Sequence, residues 1–319
     1  MNDGITLRFL AAPSDRGVGG SSVQAGSVLE WIDKAGYACA VGWAGTACVT
    51  AYVGNVNFGR PIVAGELVEA RARIIHTGRT SIHVNVTVLS ADPRDPAYRP
   101  ATSCLLVFVA VDADGKPQSV PGWAPRDEQD REFADAAERR MAARALIHTE
   151  MRAQNYTDIG TAPRVVLRFL AAPSAVNFGG NAHGGTVMRW IDDAARTCAA
   201  MWSGRESIAV YSGGIHFYRP IHIGDLVEVE ARLIHTGPHS MHVAVHVRSA
   251  DPTVGQMNDT TLCMSVLVAR GDDGRAAPIH PFLPVSQEDV DLDQHALHLV
   301  KRRAALPAIP ETSNPLSQP

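Results

Sequence analysis

The chain repeats itself, and this limits the folds open to it more than any other feature. Leu7-Arg8-Phe9-Leu10-Ala11-Ala12-Pro13-Ser14 returns letter for letter at residues 167–174, an offset of 160 that becomes 159 after one deletion near Ser21. At the shorter offset Trp31-Ile32-Asp33 matches Trp190-Ile191-Asp192, Arg60-Pro61-Ile62 matches Arg219-Pro220-Ile221, and Ala91-Asp92-Pro93 matches Ala250-Asp251-Pro252. A period this long exceeds any solenoid repeat and means two homologous domains. The 319 residues accommodate two domains of ordinary size. Tandem copies are expected to pack as a pseudo-twofold dimer within one chain.

The expected division is an N-terminal domain over 1–125, a helical connector over 126–160, a C-terminal domain over 161–285, a helix over 286–305 and a Pro-rich disordered tail over 306–319. Each repeat opens with a strand, at 6–11 or 164–171, followed by a Gly-rich loop. A long helix then runs over 27–43 or 186–202 and is apolar or small almost all round, so it is expected to be buried. Four β-patterned segments follow in each copy. The clearest sets Met241, Val243, Val245 and Val247 against His242, Ala244 and His246, the period of two of an antiparallel sheet with one buried and one wetter face. The order β-α-β-β-β-β around one buried helix implies an α+β fold, a curved sheet wrapped round that helix, built twice.

Composition narrows the partners. Twenty-nine basic residues against thirty-three acidic ones give a net charge of −4, no footprint for a nucleic-acid backbone and no polybasic stretch for a membrane surface. No apolar run approaches the roughly 20 residues that cross a bilayer, and the N-terminus lacks the charged start of a signal peptide. Five cysteines without CxxC spacing suggest neither a disulfide framework nor a zinc ribbon. Cys39 pairs with Cys198 and Cys104 with Cys263 across the repeats, as small core hydrophobes would. A cytoplasmic, reduced protein is the expectation.

Two features could carry chemistry. In the second repeat the loop Asn177-Phe178-Gly179-Gly180-Asn181-Ala182-His183-Gly184-Gly185 leads into a helix start, where free amides and the dipole favour developing negative charge. Asp33 and Asp192 lie inside the two buried helices, where a carboxylate is costly unless paired or used. The plain structural alternative is a local salt bridge, but Lys34 points ~100° away from Asp33 on the helix surface.

Asp33 stands about 9 Å past a helix start at Ser27, too far to act on a carbonyl held at that same end, since reacting groups must lie within ~3.5 Å. With the two helices antiparallel, each Asp would come beside the other helix's N-terminus, and the site would lie between the repeats. The two loops differ. Gln24 replaces His183, and Gly17 or Val18 stands where Asn177 does. One full composite site is therefore expected: Asn177, His183, Gly184 and Gly185 with Asp33. The mirror site, Asp192 with Gln24 and Gly26, is expected to be degenerate, with Asp192 possible as a structural residue.

These residues, with Phe217-Tyr218-Arg219-Pro220-Ile221 and Gly224-Asp225 starting the later strands, resemble the hotdog-fold acyl-CoA thioesterases, and the duplication resembles their double-hotdog form. The resemblance implies hydrolysis of acyl-CoA to free acid and CoA. Asn177 would position water or thioester, Gly184 or Gly185 would polarise the carbonyl, Asp33 would act as general base or nucleophile, and His183 would shape the loop. It implies no metal or redox cofactor, and a homo-oligomer, three double units in the first instance. The rival reading is a non-catalytic acyl-CoA-binding sensor or scaffold on the same fold. Arg60 and Arg219 enter strands in both repeats and either fix loops or meet CoA phosphates. The histidines near His242 and His246 are read as sheet residues rather than zinc ligands. Trp31 and Trp190 are expected to limit an acyl chain running between the helices.

Overall fold

The computed structural model describes residues 2–17, 20 and 22–306, the side chains of Pro96 and Ala142 excepted. In the first repeat β1 (Gly4–Leu10) leads to α1 (Ala25–Ala44), then β2 (Cys48–Val53), the short β3 (Val56–Asn57), β4 (Leu67–Thr77), β5 (Ser81–Asp92) and β6 (Asp95–Ala110). A helix, α2 (Glu128–Arg152), connects to the second repeat. There β7 (Arg164–Leu170) and α3 (Gly184–Ser203) precede β8 (Ser207–Phe217), β9 (Leu226–Thr236), β10 (Met241–Ala250) and β11 (Asn258–Ala269), and α4 (Gln287–Ala304) follows. Both central helices end on a glycine in the left-handed region, Gly45 and Gly204 at φ 67°, the conformation glycine adopts without a Cβ penalty.

Both helices begin two residues earlier than the apolar pattern predicts, because Ala25-Gly26 and Gly184-Gly185 belong to their first turns. Glycine scores poorly in a helix, yet packing requires it here. A Cβ on Gly26 would lie 3.0 Å from the Cα of Arg189, and one on Gly185 only 2.9 Å from the Cα of Glu30. The helices cross antiparallel at these points, each N-terminus against the middle of the other. Between them Glu30 meets Arg189 in an ion pair, and Lys34 reaches Glu30 at 3.0 Å. Residues 30 and 189 are equivalents under the duplication, so they face each other across the pseudo-twofold axis.

The ten longer strands form one sheet in the order β1-β4-β5-β6-β2-β8-β11-β10-β9-β7, with β3 paired to β8. The two repeats are stitched where β2 and β3 meet β8, through Tyr52↔His216, Val53↔Ile215, Val56↔Ser212 and Asn57↔Tyr211. Tyr52–His216 and Asn57–Tyr211 are the same pairing seen from the two repeats, as a twofold requires. Each half-sheet curls round its helix, and Ile32, Ala35, Ile191 and Ala195 are buried against it.

The outer sheet face is not wet, contrary to the alternating pattern. His83, Asn85 and His242 are buried because α2 and α4 cover that face, with Phe133 against Ile75 and Leu105, and Leu292, Ala296 and Leu299 against Ile234 and Ala244. Burial drives the His242 pKa down to about 4 and those of His83 and His246 to about 3, so these rings pack neutral. All five cysteines are free and buried, and burial pushes the thiols of Cys104 and Cys263 up to about 12. Among the described residues no cluster of three or more His, Cys, Asp or Glu could hold a metal ion, and no helix is long and apolar enough to cross a membrane. Of the tail, Leu306 packs beside α4; residues 307–319 lie outside the described residues.

Candidate active site

Asp33 lies on α1 eight residues past its start, almost fully buried at 1% exposure. Its carboxylate leaves its own repeat. Oδ2 accepts the backbone N–H of Gly185 at 2.7 Å and lies 2.9 Å from His183 Nδ1. Oδ1 accepts the Thr50 hydroxyl at 2.8 Å. Three donors on one carboxylate offset the cost of burying it. His183 Nδ1 is also 3.1 Å from the Gly185 nitrogen. The single amide hydrogen goes to the closer, charged oxygen, so Nδ1 carries the proton shared with Asp33. Burial works to lower the His183 pKa, but the hydrogen bond and charge of Asp33 outweigh it and leave the pKa raised.

The sequence dictates this geometry locally. His183 is the N-cap of α3, in extended backbone conformation, so its ring folds back over the first turn. Gly184 has no side chain where a Cβ would stand 3.1 Å from both Asp33 Oδ2 and Thr50 Oγ1. Its amide is one of the donors at the helix start that lack an intrahelical partner, whereas that of Gly185 is committed to Asp33. The predicted set Asp33, His183, Gly184 and Gly185 is thus brought together.

Asn177 is not joined to Asp33. Its Oδ1 accepts the N–H groups of Gly179 at 2.8 Å and Asn181 at 3.1 Å, closing a turn that shapes the loop around Gly180, at φ 81°. The reason is local: an Asx side chain two residues before a glycine pair finds its own loop amides first. Next to it Phe178 is 91% exposed and stacks on Tyr37 of α1, ring centroids 5.9 Å apart.

Two residues escaped the sequence reading. Thr50 and Tyr37 are polar positions whose equivalents in the second repeat are Ala209 and Arg196, and such differences between otherwise matched copies were the available signal. At the mirror junction Asp192 accepts the Gly26 N–H at 2.9 Å, and Arg196 Nε lies 3.3 Å away. Desolvation raises the Asp192 pKa to about 6 despite that arginine. Gln24, at the position of His183, turns away and donates to the Arg16 carbonyl at 2.9 Å.

Arg60 is bound to Ser90, to the Arg99 carbonyl at 3.3 Å and to Glu66 at 3.6 Å, the loop-fixing role rather than a free phosphate contact. Arg219 is exposed and donates to Asn258 at 2.9 Å. Trp31 stacks on Phe9 and Trp190 packs edge-on to Phe169, each against the first strand of its own repeat rather than between the helices.

Comparison with known proteins gives the same architecture. The thioesterase superfamily profile matches twice, over residues 22–97 and 179–256. The human cytosolic acyl coenzyme A thioester hydrolase is 26% identical over 307 residues, covering 89% of this chain and 79% of its own length. The acyl-CoA thioester hydrolase YciA of Salmonella typhimurium is 35% identical over 121 residues, 37% of this chain and 90% of its own. A solved structure of a candidate oleoyl thioesterase from Lactobacillus plantarum superposes with a TM-score of 0.59 at 8% identity, over 84% of this chain and 97% of that one, which speaks for the fold alone. The chain belongs to the thioesterase superfamily, as a member made of two hotdog domains in tandem.

Proposed function

We propose that the protein hydrolyses acyl-CoA thioesters to free acid and CoA at one site between the two repeats. The activity named for its relatives supports the reaction class. The observation that carries the site is the crossing of parts, a buried Asp33 from one repeat held by the helix start and N-cap histidine of the other. In the proposed step Asp33 takes a proton from a water, whose oxygen bonds to the thioester carbon. The carbonyl oxygen gains charge beside the Gly184 amide at the positive end of α3. The C–S bond then breaks and CoA leaves as thiolate, to be protonated by solvent. His183 and Thr50 hold the carboxylate in line, and Asn177 acts on the reaction through the loop it closes.

The enzyme is assigned to the cytosol, as its human relative is by name, and the domain limits expected from the repeat are kept. Assembly into a homo-oligomer, three chains in the first instance, belongs to the same reading and is checked by mass in solution. The direct test is release of free CoA thiol from a panel of acyl-CoA chain lengths. Turnover of at least one length is expected; none at any length would leave the acyl-CoA-binding scaffold in its place.

A further inference from the structure

The outer face of the sheet carries a second group of charged side chains, where the two repeats are stitched. Arg144 of α2 lies over the ring of Tyr52, 4.6 Å from its centroid, and Arg303 of α4 lies over that of Tyr211 at 4.9 Å. Arg144 and Tyr52 are the duplication partners of Arg303 and Tyr211, so one contact is present in both copies and related by the pseudo-twofold axis. Tyr52 sits opposite His216 and Tyr211 opposite Asn57, which sets both rings on the seam. Arg303 Nη2 lies 3.9 Å from Met151 Sδ, so the last turns of α4 and α2 meet there. We infer that this seam is a binding site for a phosphate group, held between Arg144 and Arg303 and tying the two repeats together.

The electrostatics of the seam support it. Among the described residues neither Arg144 nor Arg303 has a carboxylate partner, and Glu150, the acid next to Met151, is engaged by Arg302 at 2.6 Å. Arg303 Nε is buried without a hydrogen-bond partner. A guanidinium that stacks by its face on a ring keeps its edge N–H groups for an oxyanion. Burial raises the Tyr52 pKa while the charges of Arg144, Arg140 and Arg303 all work against it, so the three cations converge on one largely buried phenol. Like charges held together in this way cost free energy that a doubly charged anion between them removes. The helix dipole accounts for Arg303, in the last turn of α4. It does not account for Arg144, about two turns before the end of α2.

The test uses the full chain in a phosphate-free buffer with inorganic phosphate as the probe. Titration calorimetry should find one saturable equivalent per chain. About 10 mM phosphate should raise the Tm by about 3 °C over sodium chloride of equal ionic strength. Arg144→Met and Arg303→Met keep the length of the side chain and lose its donors, and each should abolish that rise. Glycerol 3-phosphate separates the sources of the group: a larger rise than with phosphate assigns the site to an ester, a smaller one to the free ion. An equal rise in sodium chloride, no saturable binding of either compound, or the full rise in a folded Arg144→Met or Arg303→Met would overturn the inference. Should one variant not fold, the other decides; should neither fold, the calorimetry and the chloride comparison on the wild type decide.

Discussion

Asp33 and Asp192 occupy the same position in two copies of one fold, and each reaches across to the other copy's helix start. Their company differs. Asp33 is met by an imidazole, a hydroxyl and an amide; Asp192 is met by an amide and a fixed cation. Burial is nearly equal, 1% and 4% exposed, so it does not separate the carboxylate proposed to act as base from the one proposed to be structural. The neighbours do. A duplicated chain can change one junction without touching the other, which a homodimer cannot. The Glu30–Arg189 pair on the axis makes the same point, because identical subunits would bring like charges together there.

Asp33→Asn should cut turnover by roughly 10³-fold, the loss of a general base, while Asp192→Asn stays within about twofold; equal losses would mean that both junctions work. The next effect is one of pH. Asp192 binds its proton more tightly folded than unfolded, about 6 against 3.8, a difference worth ~3 kcal/mol at ~1.4 kcal/mol per pH unit. Its contribution to stability is full below the unfolded value and is lost as the pH rises through the folded one. Denaturation curves of Asp192→Asn should therefore gain on the wild type as the pH climbs through that window, and parallel curves would contradict the assignment.

Smaller effects sharpen the symmetry. Gly26→Ala and Gly185→Ala each drive a methyl into the facing backbone and should cost about 1–3 kcal/mol in chemical denaturation, similar in size because the contact is the same. Thr50→Val should remove one hydrogen bond to Asp33, about 1 kcal/mol, and lower kcat roughly fivefold with KM little changed. Ala209→Thr, its counterpart, should leave kcat where it is.

The repeat, its offset and the mismatches between the copies are written in the letters. From them follow the two hotdog domains, the buried helices and the pairing of Asp33 with the second repeat's glycines, since a carboxylate inside an apolar helix needs donors that its own helix cannot give. Packing hid the rest. Glycines inside the first helical turn look like loop until the partner helix is seen 3 Å away. The histidine face of β10 reads as wet until α4 covers it. Asn177 looks like a reacting group, yet its oxygen goes to its own loop. Thr50 reads as an ordinary strand residue, and only the curl of the sheet brings its hydroxyl to Asp33. Periodicity and duplication record which surfaces are buried and which halves correspond, because those are properties of the chain one residue after another. Which donor ends beside which acceptor depends on how two curved layers come together, and only the tertiary structure decides that.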